Sequence, residues 1–299
     1  MPDSKTCLIC KSKNINKFKA QFADFIAERV FDGENMAINL LHCEKCGFAY
    51  FDYRVSDDES TKLYSGYRNK GYQKQRQKHE CWYTEEINKL IGNSNLEIKN
   101  RNNNLEDILK KYINISRIQS VLDFGGDRGQ FIPDVFKAVK KYVYEISGVE
   151  PCSGIQSLTS MEECYLNDYD LVICANVLEH LANPSEKVRQ IKSLLKKGNY
   201  LYVELPYDSP FYKNKFSDCQ FLFNRYFSWI NIFKHFIKAK KYSNLQLMHE
   251  HINYFTINSI EELLNKEGFK VMCSQIKTID AEWSKSKVIS ILSVLERSD

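Results

Sequence analysis

The chain has 299 residues, of which 43% are hydrophobic and 13% aromatic, so the sequence predicts a packed globular protein rather than a disordered one. A net charge of +4 is small for this length and differs from the strongly basic signature of a dedicated nucleic-acid binder. No apolar run is long enough to predict a membrane span, and residues 1–10 lack the apolar region of a signal peptide. With ten cysteines and no secretory feature, we expect a cytoplasmic protein whose thiols are reduced and partly bind metal.

Two C-x2-C knuckles open the chain and predict a metal site. Cys7 and Cys10 form the first knuckle, and Cys43 and Cys46 form the second. Two thiolates on each of two tight turns complete a tetrahedral zinc site, and four protein ligands leave no open position for catalysis. We therefore expect a structural zinc in a zinc ribbon over residues 1–55. The alternative is four unrelated buried cysteines.

Residues 56–104 are interpreted as a helical connector. The charged, tyrosine-rich stretch 57–91 is predicted to be helical, and the asparagine-rich stretch 92–104 is predicted to be a polar link without regular structure.

From Leu105 onward, strands and helices alternate, which predicts an α/β fold with a mostly parallel sheet. The first part of this core covers residues 105–206. Its expected helices are 105–113, 130–142 and 185–195, with Gly198 as the stop of the last one, and its expected strands are 120–125, 147–150, 169–175 and 200–205. The last part covers residues 248–299, with a helix at 258–269 and two apolar runs, 270–276 and 287–295, that can form an antiparallel hairpin at one sheet edge.

An insertion rich in aromatic and basic residues, 207–247, interrupts the core. We expect it to be helical and to pack its aromatic side chains on the core. A lid over a substrate pocket and a peripheral membrane contact are the alternatives. Of these two the lid is favoured, because the insertion follows the carboxyl end of a strand, where open α/β sheets bind ligands.

The stretch "VLDFGGDRGQF" (121–131) predicts a cofactor site. It does not match the dinucleotide fingerprint, since Phe124 stands where the first glycine should be, and no G-K-[ST] of a P-loop follows. A carboxylate at the strand end, Asp123, would repel a pyrophosphate but suits a cofactor that carries an ammonium and a sulfonium. Glu150, expected to end the next strand, could accept hydrogen bonds from ribose hydroxyls. The glycines of this site are Gly125, Gly126 and Gly129.

These residues resemble the motifs of the class I S-adenosylmethionine-dependent methyltransferases, a family with a Rossmann-like sheet. "VLDFGGDRGQF" is similar to the first motif, "SGVEP" to the second, "YDLVICANVLEHLANP" to the fourth strand and the helix after it, and "LLKKGNYLYVELP" to the fifth strand. The resemblance implies S-adenosylmethionine as cofactor, with Asn176 among its contacts. Asp127 replaces the family's usual central glycine, and aspartate tolerates a left-handed backbone better than most residues.

The four-cysteine ribbon together with "LYSGYR" and "HEHINYF" narrows the resemblance to zinc-ribbon methyltransferases of bacterial surface-polysaccharide loci and to deoxysugar C-methyltransferases. It implies a sugar or nucleotide-sugar acceptor and does not favour nucleic acid. In this interpretation His251 is the general base, Glu250 its neighbour or a ligand of a sugar hydroxyl, and His180 a second polar contact.

Each of these roles has a structural alternative. His180 could be a helix-start residue bonded to the backbone, and His251 could cap the segment before "FTINS". Tyr67 and Arg68 could reach the substrate from the N-terminal helices or could belong to a solvated, charged helix.

Two other functions fit the same residues. Glu179 and His180, with His249 or His251, could bind Mg²⁺ or Mn²⁺ as in metal-dependent RNA 2′-O-methyltransferases. A degenerate, non-enzymatic binding protein is the third possibility, and Asp127 is its best support. Calorimetric titration with S-adenosylmethionine would separate this third class from the other two.

Overall fold

The fold is described from a computed structural model, which covers residues 5–210 and 245–297. The chain divides into two compact units. One consists mainly of residues 11–91 and the described part of 208–254, and the other mainly of residues 92–207 and the described part of 255–299. Within the described ranges, no helix has the length and apolar composition needed to cross a membrane.

The described residues form the following strands and helices, given in chain order. The strands are β1 (Ile15–Phe22), β2 (Ala37–Cys43), β3 (Ala49–Phe51), β4 (Ser120–Phe124), β5 (Lys140–Tyr144), β6 (Gln156–Leu158), β7 (Tyr169–Ala175), β8 (Leu195–Pro206), β9 (Gln246–Met248), β10 (Asn253–Tyr254), β11 (Phe269–Asp280) and β12 (Lys285–Leu295). The helices are α1 (Asp24–Val30), α2 (Asp57–Tyr64), α3 (Lys70–His79), α4 (Glu85–Leu90), α5 (Asn95–Tyr112), α6 (Met161–Tyr165), α7 (Pro184–Lys192) and α8 (Ile257–Lys266). Short 3₁₀ helices lie at Ile115–Arg117, Asp134–Phe136 and Leu178–His180.

The first unit contains a five-stranded sheet in the order β10-β3-β2-β1-β9. Its strands pair antiparallel except β9, which runs parallel to β1. One face of this sheet packs on an aromatic core that includes Phe22, Phe25 and Phe51. Phe22 stacks on Phe31 with ring centroids 4.5 Å apart, a geometry that adds to the stabilisation from burial.

The helical region 57–91 is divided into three helices rather than one. Each begins at a side-chain cap: Ser56 accepts from the backbone N–H of Glu59, Asn69 from that of Tyr72, and Thr84 from that of Ile87. Between α2 and α3, Gly66 and Arg68 have φ values of 61° and 64°, which no continuous right-handed helix allows.

The prediction that residues 92–104 form an irregular link is wrong. Residues 95–104 begin α5, an 18-residue helix capped by Ser94, whose hydroxyl accepts from the backbone N–H of Glu97. The polar residues Arg101 and Asn104 are buried on the same face of the helix as Leu105 and Leu109. The amphipathic pattern was hidden because part of the buried face is polar.

The second unit contains a seven-stranded sheet in the order β11-β12-β8-β7-β4-β5-β6. Strands β8, β7, β4, β5 and β6 are parallel, and β12 and β11 are antiparallel to their neighbours. The predicted α/β, Rossmann-like fold with a C-terminal antiparallel hairpin at the edge is confirmed. All five residues of β4 are buried, as expected for a central parallel strand covered on both faces.

Two predictions next to β4 are wrong. The expected helix 130–142 is absent: a 3₁₀ turn at Asp134–Phe136 follows Pro133, and Lys140–Tyr144 forms β5. The expected strand 147–150 is irregular. Aromatic and β-branched residues in "KKYVY" favour a strand, and pairing with β4 fixes it.

The predicted helix stop at Gly198 is also wrong. Helix α7 ends at Lys192 and β8 begins at Leu195, so that Gly198 lies inside the strand with φ 89°. A left-handed residue inside a strand bends it locally, which glycine permits without strain.

Candidate functional site

The four cysteines of the two knuckles lie together and are buried. One ligand atom of each lies within 4.8 Å of the others, and the Sγ atoms of Cys7 and Cys46 are 3.7 Å apart. A tetrahedral zinc with bonds of about 2.3 Å would hold its sulfurs about 3.8 Å apart. The group therefore fits one zinc with four thiolate ligands.

The two knuckles have the same backbone conformation. In the first, the N–H of Lys11 donates to the carbonyl of Cys7 and the N–H of Cys7 to that of Ser12; in the second, Gly47 donates to Cys43 and Cys43 to Phe48. The residue after each knuckle is left-handed, with φ 58° at Lys11 and 74° at Gly47. Because β2 ends at Cys43, the second knuckle is the turn between β2 and β3.

The glycine turn follows β4 directly and surrounds the carboxylate of Asp123. A Cβ on Gly126 would lie 2.1 Å from the Cγ of Asp123, and Cβ atoms on Gly125 and Gly129 would lie 2.7 Å from Val177 and Ile155. A side chain at Gly126 would therefore collide with Asp123, and Gly125 and Gly129, with φ values of 70° and 75°, have backbone conformations that favour glycine.

Asp123 is a buried carboxylate without a full set of partners. It is 1% exposed, and its Oδ2 has no hydrogen-bond partner among the described residues. Burial raises the pKa of this carboxyl to about 7, while the charge of Arg101 opposes the rise. An orphaned, buried carboxylate oxygen fits a cationic group of a ligand, such as the ammonium of S-adenosylmethionine.

Asp127, which replaces a glycine in the turn, has φ 56°. Its backbone N–H donates to Glu145 Oε2 at 3.2 Å, and its carboxylate accepts from Gln130 Nε2 at 3.0 Å. These bonds support the left-handed backbone at a residue other than glycine.

The placement of Glu150 at the end of the second strand is wrong. That strand, β5, ends at Tyr144, and Glu145 is the acid that follows it beside β4. Glu145 Oε1 accepts from the backbone N–H of Ser147 at 2.9 Å. Glu150 lies in the irregular segment after Gly148. The signal that could have identified Glu145 is the motif "YVYE", an apolar strand that ends in an acid.

A buried polar network lies at the carboxyl ends of β7 and β8. The Nε of Arg101 donates to Glu204 Oε1 at 2.7 Å, and Tyr202 donates to Glu204 Oε2 at 2.8 Å. Asn176, which follows β7 with φ 56°, donates its backbone N–H to the Glu204 carbonyl at 2.9 Å. Sequence reasoning missed Arg101 and Glu204, because nothing in their local sequence distinguishes them from solvated charges.

His180 ends the 3₁₀ helix Leu178–His180 that follows β7. Its backbone N–H donates to the carbonyl of Val177 at 3.1 Å, and its Nε2 lies 3.8 Å from Oε1 of Glu179.

In the first unit, the three residues of "HEH" have three different partners. Glu250 accepts from both terminal nitrogens of Arg76, at 3.0 and 2.8 Å, and from the hydroxyl of Tyr72 at 2.9 Å. His249 Nδ1 lies 3.1 Å from Glu80 Oε1, and His251 Nδ1 lies 3.3 Å from Asp208 Oδ2.

The electrostatics around Glu250 are those of a buried charge network. Burial opposes ionisation of Glu80, but the hydrogen bond with His249 and the charge of Arg76 outweigh it and lower its pKa to about 2. Burial and the negative charge of Glu250 raise the pKa of Tyr72. This network holds the segment that carries His251.

Tyr67 and Arg68 lie in the turn between α2 and α3. The Tyr67 ring packs edge-on against Tyr72 with centroids 5.2 Å apart, and the Arg68 guanidinium lies 4.9 Å from the Tyr67 ring centre. Burial, followed by the charge of Glu250, raises the pKa of the Tyr67 hydroxyl. The two residues are therefore not on a solvated helix, and Tyr67 lies within electrostatic reach of Glu250.

Most of the aromatic and basic insertion, residues 211–244, lies outside the described residues, so that its assignment as a lid or a membrane contact stays a prediction.

The structure is an α/β fold with a glycine-rich turn at the carboxyl end of its central strand β4. A family model described as a methyltransferase domain matches residues 72–274, more than half of the chain. The chain belongs to this family and is an S-adenosylmethionine-dependent methyltransferase.

Several solved structures are similar to the chain. A putative methyltransferase from Bacillus halodurans is 12% identical, with a TM-score of 0.41, over 65% of this chain and 100% of that one. A 1,6-didemethyltoxoflavin-N1-methyltransferase from Burkholderia thailandensis, solved with S-adenosylhomocysteine, is 12% identical, with a TM-score of 0.48, over 87% and 96%. Human N-acetylserotonin methyltransferase is 17% identical, with a TM-score of 0.41, over 80% and 59%. No curated protein matches the chain.

Proposed function

We propose that the protein transfers the methyl group of S-adenosylmethionine to a sugar or nucleotide sugar in bacterial surface-polysaccharide biosynthesis. The observation that carries the proposal is the pair formed by His251 and Asp208, an imidazole beside a carboxylate at 3.3 Å. Sugar hydroxyls and carbons next to a carbonyl hold their protons at neutral pH, so that such an acceptor needs a base. The resemblance of "LYSGYR" and "HEHINYF" to sugar methyltransferases supports the same class of acceptor.

The residues after β4 and β5 fit the cofactor, which supplies an electrophilic methyl group when bound. Asp123 would accept from the ammonium, and Glu145, in place of Glu150, would accept from the ribose hydroxyls. Ile146 is 78% exposed directly after Glu145 and would cover one face of the adenine. Asn176 would contribute a polar contact at the methionine end.

On the acceptor side, His251 would remove the proton. Its Nδ1 lies 3.3 Å from Asp208 Oδ2, and this contact would orient the imidazole and fix its tautomer. Glu250 would hold the "HEH" segment or bind a sugar hydroxyl, and His180 would be a second polar contact. Tyr67 and Arg68 are the further acceptor contacts that we propose.

The zinc would have a purely structural role. Cys7, Cys10, Cys43 and Cys46 fill a tetrahedral coordination shell and leave no position for a substrate. The metal would fix the start of β1 and the turn between β2 and β3.

The proposal is tested by incubating the protein with methyl-labelled S-adenosylmethionine and a panel of nucleotide sugars, with the matching nucleotides as controls. We expect one nucleotide sugar to gain one methyl group by mass spectrometry, and the His251→Ala protein to lose this product. Methylation of RNA that EDTA abolishes, with no sugar product, would instead establish the metal-dependent RNA enzyme.

A further inference from the structure

Helix α3 and the residue after it bury three polar side chains that are spaced four residues apart. Tyr72 and Arg76 lie on the helix and Glu80 follows its last residue, and each is at most 8% exposed. Residues four apart lie one turn from each other on the same side of a helix. Lys74 and Lys78, which alternate with them along the chain, are exposed. The helix therefore has a charged outer face and one buried polar face.

This buried face holds two consecutive residues of the "HEH" segment. Arg76 forms a forked ion pair with Glu250, with Nη1 3.0 Å from Oε1 and Nη2 2.8 Å from Oε2. Its Nε donates to Glu80 Oε2 at 2.7 Å, and Glu80 Oε1 lies 3.1 Å from Nδ1 of His249. The hydroxyl of Tyr72 donates to Glu250 Oε1 at 2.9 Å. The side chains of His249 and Glu250 are therefore both held by α3 and its last turn.

Aromatic rings enclose the Arg76 guanidinium. Its central carbon lies 4.2 Å from the ring centre of Tyr83, 5.3 Å from that of Trp82 and 5.6 Å from that of Phe25. Rings at these distances attract the cation and restrict the plane of the guanidinium. Ion pairs and hydrogen bonds are also stronger where the rings exclude water. The contact between Arg76 and Glu250 is therefore both strong and directional.

The charges of this network persist at neutral pH. Burial favours a neutral Arg76, but the negative charges of Glu250 and Glu80 outweigh burial and raise the pKa of Arg76. Burial opposes ionisation of Glu80, yet the hydrogen bond with His249 and the charge of Arg76 lower its pKa to about 2. Burial, followed by the negative charge of Glu250, raises the pKa of Tyr72, whose hydroxyl therefore keeps its proton and remains a donor.

The chain around His251 depends on such contacts because it lies between two short strands. β9 ends at Met248 and β10 begins at Asn253, and the four residues between them belong to neither strand. Their conformation is therefore set by side-chain contacts rather than by a strand ladder. His249 and Glu250 directly precede His251, so that the position of its imidazole depends on how firmly these two residues are held.

We propose that Arg76 and Glu80 are positioning residues for His251. They act by holding Glu250 and His249, so that Glu250 is the anchor of the segment rather than a ligand of a sugar hydroxyl. Both oxygens of Glu250 are bound from α3, which supports this role. The inference rests on the proposed function, in which His251 is the base. A displaced base lowers the rate of the chemical step more than it weakens acceptor binding, so that Arg76 should act on kcat.

The test measures the kinetics of two variants that weaken the hold on Glu250 by different amounts. The acceptor is the nucleotide sugar that the wild type methylates. Arg76→Lys keeps the charge but loses the fork, and Tyr72→Phe removes one hydroxyl while its ring remains. We expect kcat to fall about 10- to 100-fold in Arg76→Lys and about three- to tenfold in Tyr72→Phe. The KM of the nucleotide sugar and the affinity for S-adenosylhomocysteine should stay at wild-type values in both.

Tyr53→Phe is the matched control. Tyr53 packs against the same aromatic core as Tyr72, but its hydroxyl donates to Glu59 at 2.5 Å, near the start of α2. This variant should leave kcat and KM unchanged. A double variant keeps the test decisive if Arg76→Lys does not fold. Because Tyr72 acts through Glu250, Tyr72→Phe should lower kcat less in a Glu250→Gln protein than in the wild type.

The outcomes separate this inference from the proposed function. A higher KM at unchanged kcat would overturn the inference, because Glu250 would then bind the acceptor directly. Wild-type kinetics in Tyr72→Phe and in folded Arg76→Lys, or additive effects in the double variant, would overturn it as well, since the network would then be structural only. If the wild type binds S-adenosylhomocysteine but methylates no nucleotide sugar, the proposed acceptor is wrong and the positioning role falls with it.

Discussion

At the scale of single residues, the raised pKa of Asp123 predicts how cofactor binding depends on pH. Its pKa of about 7 means that the carboxyl is about half protonated at neutral pH. A protonated carboxyl attracts an ammonium far less than a carboxylate does. We therefore expect the affinity for S-adenosylhomocysteine to rise between pH 6 and pH 8 and then to level off, as measured by calorimetric titration. Asp123→Asn should bind weakly at every pH and lose this dependence. A wild-type affinity that is flat over the range would mean that Asp123 does not meet the cation.

Glu145 and Glu150 offer a matched pair of variants. Both are acids near the second parallel strand, but only Glu145 follows it directly. Glu145→Ala should weaken cofactor binding by about 1.5–3 kcal/mol, because a charged acceptor of two hydroxyls is removed. Glu150→Ala should leave the titration curve unchanged. The reverse result would return the ribose site to Glu150.

The pair formed by His251 and Asp208 predicts an effect on kcat rather than on cofactor affinity. His251→Ala should lower kcat by about 10²–10⁴-fold, since the acceptor loses its base. Asp208→Asn should lower kcat less, because the imidazole remains but its orientation and tautomer are no longer fixed by a carboxylate. The affinity for the cofactor, measured in parallel, should change in neither variant. A fall in cofactor affinity that accounts for the lost rate would argue against the role as base.

At the scale of elements, the two cysteine knuckles fix the ends of β1, β2 and β3. Cys43→Ser should abolish stoichiometric zinc in elemental analysis and lower the midpoint of thermal unfolding, because binding of a structural zinc is coupled to folding. Cys81→Ser is the control, since Cys81 is not one of the four grouped thiols. Full zinc content in the Cys43→Ser protein would remove this residue from the ligand set.

Helix α5 shows why composition alone misleads at this scale. Asparagine and charged residues usually indicate solvent exposure, yet here Arg101 and Asn104 are buried against partners from distant strands. Asn104, for example, donates to the hydroxyl of Ser290 on β12 at 2.9 Å. A polar residue becomes compatible with a core only when its partners are supplied, and these partners lie about 100 and 186 residues away in sequence.

At the scale of the whole molecule, Asp123 links function to stability. Its folded-state pKa of about 7 lies above the ordinary value of 3.8, so that the folded protein holds a proton that the unfolded chain releases. The contribution of this residue to the free energy of unfolding therefore falls as the pH rises from about 4 to about 7. Asp123→Asn should raise the free energy of unfolding by about 1–3 kcal/mol at pH 8 and by less at pH 5, as measured by chemical denaturation. Equal effects at both values would contradict a buried carboxyl with a raised pKa.

The sequence by itself determined the α/β fold, the central strand with its glycine turn, the C-terminal hairpin and the family, because apolar periodicity and glycine spacing are local signals. Only the tertiary structure decided that Lys140–Tyr144 forms β5 where the end of the helix 130–142 was expected, since pairing with β4 overrides the helical pattern there. The tertiary structure also decided that Glu145, and not Glu150, is the acid that directly follows the second parallel strand. It also decided that Arg101, Glu204 and Asp208 have partners that bear on the proposed site, because each depends on a contact between residues far apart in the chain. Local sequence encodes which elements form, whereas the charge and hydrogen bonds of a site depend on which of those elements meet.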